Sequence, residues 1–398
     1  MTTLAAPPAT APVAFARTPL APGVSDAVTR VLASGWLTTG PEVGEFEREF
    51  AALVGASHAV AVSSCTAALE LSLRALGLPA GARVLVPTVT FCGAVNAILH
   101  AGLRPVLVDV EPATLMPDEA TTAVAARRAG HVSASMVMHF AGHPADTAAL
   151  AAAAGIPERL VVEDAAHAVG ARIGGSAVGS GRTAAACFSF YATKNLPIGE
   201  GGMVTTADQA LADYVRRCRL HGMSRDAWRR YLPGAAWSYT VEDAGLKANM
   251  TDVQATVGRA QLTRFQDWQL RRAQIADRYD AALAGVPGIV RPARPPDGGH
   301  AWHLYVVQVL DEFGLTRDEL MAHLAERGVG TSVHFAPMHR QPYLVRMLGA
   351  EAAPEHFPAA EEAAERYVSL PLYPDLRDED VDRVCFEIAA VRRVNRGG

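Results

Sequence analysis

From His58 onward the chain alternates short apolar runs with longer helix-patterned stretches, and this alternation restricts the fold more than any other feature. HAVAV at 58–62, RVLVP at 83–87, RPVLVDV at 104–110 and the apolar part of HVSASMVMHF, ending at His139, read as strands. Between and after them lie AALELSLRALGL, TFCGAVNAILHAG, an Ala-rich segment over 118–128 and PADTAALAAAAG, stopped by Gly155, which read as helices. Apolar strands separated by helices predict a parallel sheet covered on both faces. Ligands of such sheets bind beyond the carboxyl ends of the strands, so residues at strand ends are the first candidates for function.

At 398 residues the chain exceeds what one compact core accommodates, and a large and a small domain are expected. Residues 1–14 read as a disordered Ala/Pro tail without a signal-peptide pattern. A large domain over 15–250 follows, with helices at 25–36, capped by Ser25, and at 43–54 preceding the first strand. Residues 223–246 are polar and aromatic without a period, and suggest a functional loop. A helix from Thr251 to about Leu283 is expected to bridge, within 251–285, to a small domain over 286–398. That domain carries strands at 303–309 and 330–335 and helices at 316–327 and 378–393. The formal charge is −5 with no basic stripe, which argues against a nucleic-acid surface. Five scattered cysteines without CxxC spacing fit reduced thiols in a cytoplasm, and no run of apolar residues is long enough to span a membrane.

Within this frame one residue is conspicuous. The chain has two lysines, Lys194 and Lys247, against thirty-four arginines. Guanidinium stays protonated and is a poor nucleophile, whereas a desolvated ammonium can lose its proton and attack a carbonyl. Lys194 lies in CFSFYATKNLPIGEGGMV, at the end of an apolar, aromatic strand-like run and before a glycine-rich loop, which marks it as a candidate for covalent chemistry with an aldehyde. RLVVEDAAHAVGA at 159–171 brings Glu163 and Asp164 to another strand end, with His167 three residues on. Adjacent strand residues face opposite sides, so one carboxylate can face a ligand. Its partner could be a protonated pyridine nitrogen, a structural arginine, or a metal shared with His167, although no third ligand recurs at metal spacing. Ser64, Cys65 and Thr66, between a strand and a helix, suit a phosphate or an ordinary helix cap. Gly174 to Gly181 (GGSAVGSG) lacks the ending of a phosphate loop and reads as a hairpin loop. With Phe91 just after a strand, the chain offers the amine, the carboxylate, the anion cup and the stacking plane that a pyridoxal phosphate site requires.

The sequence also resembles the DegT/DnrJ/EryC1/StrS sugar aminotransferases. The resemblance runs from about Phe15 to near the C-terminus and is carried by SGWLTTGPEVGEFE, SSCTAALELSLRALGL, PTVTF, VEDAAHAVGA, FSFYATKN, GEGGM and LKANMTDVQA. HAWHLYVV, GVGTSVHF and SLPLYPDL are most similar to members that aminate a UDP-4-keto-pentose. The resemblance implies the pyridoxal-phosphate fold type I, like aspartate aminotransferase: an α/β domain with a mostly parallel, mixed seven-stranded sheet and a smaller C-terminal α/β domain. It implies that Lys194 joins the cofactor and shuttles the proton, Asp164 binds the pyridine nitrogen, and His167 lies on the phenolic-oxygen side. Phe91 would stack on the ring, and Ser189, Cys65 and Thr66 would hold the phosphate, although Cys65 stands where Gly or Ala is usual. Asn249 would come from the neighbouring subunit of a homodimer, and Thr38, His139 and His334 would either face the sugar or serve the core or a loop. A keto sugar, nucleotide-linked at that, and glutamate or glutamine would be the substrates. Two other readings are a dehydratase using the same cofactor, whose relatives replace the lysine by histidine, and a non-catalytic regulator on the same fold.

Overall fold

The computed structural model describes residues 11–224 and 238–395. Most of the expected tail and more than half of the expected loop over 223–246 lie outside the described residues. Seven strands form the main sheet: β1 (His58–Val62), β2 (Arg83–Pro87), β3 (Arg104–Val108), β4 (Ala134–Met138), β5 (Val161–Asp164), β8 (Ala185–Ser189) and β9 (Gly202–Thr206). Their order is β1-β9-β8-β5-β4-β2-β3. The short strands β6 (Arg172–Ile173) and β7 (Ser176–Ala177) form the hairpin anticipated for the GGSAVGSG segment. All seven main strands run parallel except β9, which is antiparallel to both β1 and β8. β9 escapes the sequence reading because its residues, GMVTT, follow a glycine-rich loop. Its reversed direction lets a short connection after β8, carrying Lys194, fold back over the carboxyl edge of the sheet.

Helices flank the sheet: α1 (Val24–Ser34), α2 (Pro41–Val54), α3 (Cys65–Ala75), α4 (Cys92–His100), α5 (Glu119–Ala129), α6 (Thr147–Ala154) and α7 (Gln209–Cys218). Gly23, not Ser25, caps α1, with φ at 81° and no side-chain cap bond. The strands are buried on both faces, as near-continuous apolar runs require.

The helix expected from Thr251 to Leu283 is two helices, α8 (Asp252–Leu262) and α9 (Phe265–Leu283), broken at Thr263–Arg264. Thr251 does cap the first, in a reciprocal box with Gln254. The break follows from what each half buries: α8 packs on α1 and α2, whereas α9 packs on the final helix, α13 below. One straight helix could not present both faces. The C-terminal part has an antiparallel sheet of β10 (Ile289–Val290), β11 (Tyr305–Val309) and β12 (Tyr367–Leu370). Helices α10 (Arg317–Glu326), α11 (Pro342–Leu348), α12 (Pro358–Ala364) and α13 (Asp378–Asn395) complete it.

The strand expected over 330–335 is not formed. Ser332 makes a lone antiparallel bridge to Ser369, on the outer edge of β12. Residues 11–14, expected as part of the tail, are ordered against the C-terminal part. Val13 is buried and pairs with Val329, its N–H donating to Gly328 O at 2.8 Å.

Candidate active site

At the carboxyl edge of the main sheet lies a cavity of about 480 Å³. Ser64, Cys65 and Thr66 reach it from the β1–α3 turn, Phe91 from the turn before α4, and Asp164 and His167 from the end of β5. Ser189 and Lys194 come from β8 and its loop. The far wall comes from the C-terminal part and the N-terminal segment: Phe15, His303, His334 and Phe335.

The α3 N-terminus is shaped for an anion. Ser64 caps it, its hydroxyl oxygen accepting from Ala67 N–H at 3.2 Å, and no acidic residue occupies the first turn. The N–H groups of Cys65 and Thr66 have no acceptor among the described residues, so they and the helix dipole are free for negative charge. Two glycines keep the cup open. A Cβ at Gly202 would meet Ser64 C at 2.5 Å, and one at Gly93 would meet Thr66 Oγ1 at 2.7 Å. The Cys65 side chain turns away from the cup; its thiol donates to Cys187 O at 3.3 Å and contacts Asp164 Oδ1 at 3.9 Å.

The two carboxylates of β5 part as the strand pleat requires. Glu163 accepts from Thr183 Oγ1 at 2.5 Å and from His139 Nε2 at 2.8 Å, on the side away from the cavity. Asp164 faces the cavity, 4 % exposed. Its Oδ1 accepts from Ala166 N–H at 3.1 Å, while Oδ2 has no donor among the described residues. Burial raises the Asp164 carboxyl above the usual carboxylate range, opposed by Lys194 and by the Ala166 hydrogen bond. Burial also lowers the Lys194 ammonium to about 8, with Asp164 pulling the other way.

His167 is 2 % exposed and accepts from Ala141 N–H on Nδ1 at 3.2 Å, which leaves its proton on Nε2 as a donor. Burial and the neighbouring Lys194 hold it neutral, well below the ordinary histidine range. Phe91 stands at the mouth, 54 % exposed, tilted against Phe335 with ring centres 5.8 Å apart. Ser189 Oγ accepts from Tyr191 N–H at 3.3 Å and keeps its own proton available.

Three residues expected near a sugar separate in the structure. His334 lines the cavity, bonded through Nδ1 to Ser369 Oγ at 2.9 Å and stacked on Phe15. His139 does not: its Nδ1 accepts from Ala145 N–H at 3.0 Å and its Nε2 is taken by Glu163, so it is locked in the core and drops out of the sugar-facing set. Thr38 and Asn249 lie together outside this cavity. Asn249 Nδ2 donates to Thr39 Oγ1 at 2.8 Å and to Thr38 Oγ1 at 3.4 Å, and its Oδ1 accepts from Lys247. The sequence reading missed His303, whose Nε2 is 3.4 Å from Lys194 Nζ, and Phe335 and Glu200 on the rim. The WHLY run around His303 marks it, but a signal for its contact with Lys194 would require knowing which loop of the C-terminal part returns to the sheet edge.

Comparison with known proteins agrees with this geometry. The model of the DegT/DnrJ/EryC1/StrS aminotransferase family matches residues 22–389. The spore coat polysaccharide biosynthesis protein SpsC of Bacillus subtilis is 47 % identical over 374 residues, 93 % of this chain and 94 % of that protein. Among solved structures, DesV of S. venezuelae is 35 % identical, with a TM-score of 0.84 over 96 % of this chain and 99 % of its own. The sugar aminotransferase Spr1654 of Streptococcus pneumoniae, in its PLP form, is 28 % identical, with a TM-score of 0.86 over 96 % and 99 %. The chain belongs to the DegT/DnrJ/EryC1/StrS aminotransferase family and is a pyridoxal-phosphate-dependent aminotransferase of fold type I. The residues present fit that cofactor: unclaimed N–H groups at a helix start for its phosphate, an open carboxylate oxygen for its ring nitrogen, and a desolvated amine for its aldehyde.

Proposed function

We propose that the protein transfers an amino group from glutamate or glutamine to the keto carbon of a nucleotide-linked 4-keto sugar, as a cytoplasmic homodimer with shared active sites. The observation that carries this reading is Lys194: a part-buried amine, lowered by desolvation to about 8, beside a carboxylate with one oxygen open to the same cavity. Bound pyridoxal phosphate supplies the electron sink and carries the amino group between the two substrates. Near neutral pH an amine of this kind samples both protonation states, which suits Lys194 Nζ to take a proton from the substrate carbon and return it. Asp164 Oδ2 would hold a proton on the ring nitrogen. His167 Nε2–H would donate on the phenolic-oxygen side. The N–H groups of Cys65 and Thr66, with the hydroxyls of Ser64, Thr66 and Ser189, would bind the phosphate, and Phe91 would stack on the ring.

His334 meets the sugar from the far wall. Thr38 and Asn249, bonded to one another outside their own cavity, act in that of the partner, Asn249 completing its phosphate cup. A sugar substrate is supported by the naming of Spr1654 as a sugar aminotransferase and of SpsC for polysaccharide biosynthesis. The amine at position 194 favours amino transfer over the dehydratase alternative, since the dehydratases that this family resembles carry histidine there.

The test offers single amino sugars to the purified holoprotein and follows conversion of the cofactor to its pyridoxamine form. Conversion by a nucleotide-linked 4-amino sugar, but not by the free sugar, is expected. A response to glutamate with none from any nucleotide-linked sugar would overturn the substrate class. Mixing inactive Lys194→Ala and Asn249→Ala proteins tests sharing: hybrid dimers regain activity, and a mixture that stays inactive contradicts it.

A further inference from the structure

His303 reaches Lys194 through a segment that is over-determined for the purpose. Trp302, just before it, has φ at 49°, a left-handed conformation that is strained for a bulky residue. Several contacts hold it there. Trp302 N–H donates to His300 Nδ1 at 2.8 Å, and the two rings stack with centres 3.8 Å apart. The Arg294 guanidinium lies 4.8 Å from the Trp302 ring centre. Ala301 N–H donates to Gly142 O, and the N–H groups of His303 and Leu304 both donate to Ala141 O, at 2.9 and 3.1 Å. Ala141 also donates to His167, so one turn brackets both histidines. Arg272, 2 % exposed, has no carboxylate partner among the described residues. Its Nη1 donates instead to the carbonyls of Trp302, Leu372 and His303, at 3.2, 3.1 and 3.4 Å. Burying a cation against backbone carbonyls alone is costly, and here its effect is to pin this turn.

The tautomer of His303 can be read from its neighbours. Asn195 Nδ2 donates to Ala301 O at 2.7 Å and to Gln269 Oε1 at 2.9 Å, while Gln269 Nε2 donates to the same carbonyl at 3.0 Å. Asn195 therefore presents its oxygen to His303 Nδ1, 3.0 Å away, which must carry the proton. Nε2 is left with a lone pair, 3.4 Å from Lys194 Nζ.

We propose that His303 is the positioning residue of Lys194: a neutral imidazole, its tautomer set by Asn195, whose Nε2 accepts a hydrogen from Nζ. The inference rests on Lys194 being the reactive amine. His303 stores no proton, because burial together with Lys194, His167 and Arg272 keeps it uncharged. By taking one N–H it fixes where the remaining valences of the amine point.

The full-length apoprotein tests this without any sugar. Labelled with ¹⁵N at Nζ, its two lysines give two side-chain signals, and Lys194→Met identifies that of Lys194. The Lys194 midpoint is expected near 8. In His303→Asn it falls by about 1, a tenfold change, as expected when a charged donor loses its acceptor. His303→Gln restores it, and Asn195→Leu gives a smaller fall. The other groups facing Nζ (Asp164, Cys65, His167 and His334) are unchanged in these variants. Ring ¹⁵N shifts of the unsubstituted protein place the His303 proton on Nδ1. An unmoved Lys194 midpoint in folded variants, or a proton on Nε2 in the unsubstituted protein, would overturn the proposal. Because neither readout involves sugar or turnover, a wrong substrate class leaves them intact.

Discussion

Glu163 and Asp164 are neighbours on one strand, both nearly excluded from water, yet they end in opposite environments. Every oxygen of Glu163 is claimed by Thr183 or His139, and His139 is claimed in turn by Ala145, so that side of the sheet is a closed structural network. Asp164 keeps one oxygen without a donor among the described residues and shares its cavity with a lysine. Burial is common to both and distinguishes neither. What marks the functional side is the valence left open, which needs a ligand to complete it.

Breaking the open side should cost chemistry. Lys194→Ala should reduce amino transfer by more than about 10⁴-fold, since it removes both the nucleophile and the proton shuttle. Asp164→Asn, which still accepts from Ala166, should cost about 10²- to 10³-fold in kcat, because the ring nitrogen loses its anion; the same assay measures both.

Burial of the amine also has a price in stability. Below pH 8 the unfolded and folded chains both hold the Lys194 proton and the apoprotein carries the whole cost of burying it, about 3 kcal/mol for a fall from 10.5 to about 8. Between pH 8 and 10.5 the unfolded chain binds more protons, so stability rises with pH, and above 10.5 the cost is gone. Denaturant unfolding should therefore show Lys194→Met more stable than the unsubstituted apoprotein at pH 7, by a margin that closes by pH 10.5.

Breaking the closed side should do the reverse. Glu163→Leu strands His139 Nε2–H and the Thr183 hydroxyl, and should destabilise the fold by about 2 kcal/mol while kcat stays within about threefold. A large loss of kcat with normal stability would erase the contrast between the two carboxylates. The smallest effect is expected for Cys65→Ala: the thiol faces Cys187 and Asp164, not the anion cup, so cofactor affinity measured by titration should change less than about threefold.

The same contrast explains what the sequence made legible. Lys194, Asp164 and the Ser64–Thr66 turn stand at ends of strands whose apolar runs are unmistakable, so the parallel sheet and half of the site could be placed from local pattern. His139 looked equivalent, a histidine at a strand end, because pattern does not reveal which face of the sheet is closed by Thr183 and Glu163. His303, Phe335 and Phe15 stayed invisible as neighbours of Lys194 because they approach from the C-terminal part and the N-terminal segment, through contacts spanning more than a hundred residues. β9 and β12 were missed for a related reason: GMVTT and YVSL sit beside glycines or proline, and their pairing with distant strands overrides weak local signals.

The central claim, that Lys194 is the residue to which the cofactor is joined, is tested most directly by borohydride reduction of the holoprotein followed by peptide mass mapping. Because the chain has two lysines, the result is unambiguous. The account predicts the added cofactor mass on the peptide containing Lys194 and none on that containing Lys247. Cofactor fixed to Lys247, or no modified lysine in a holoprotein that retains its colour, would contradict it.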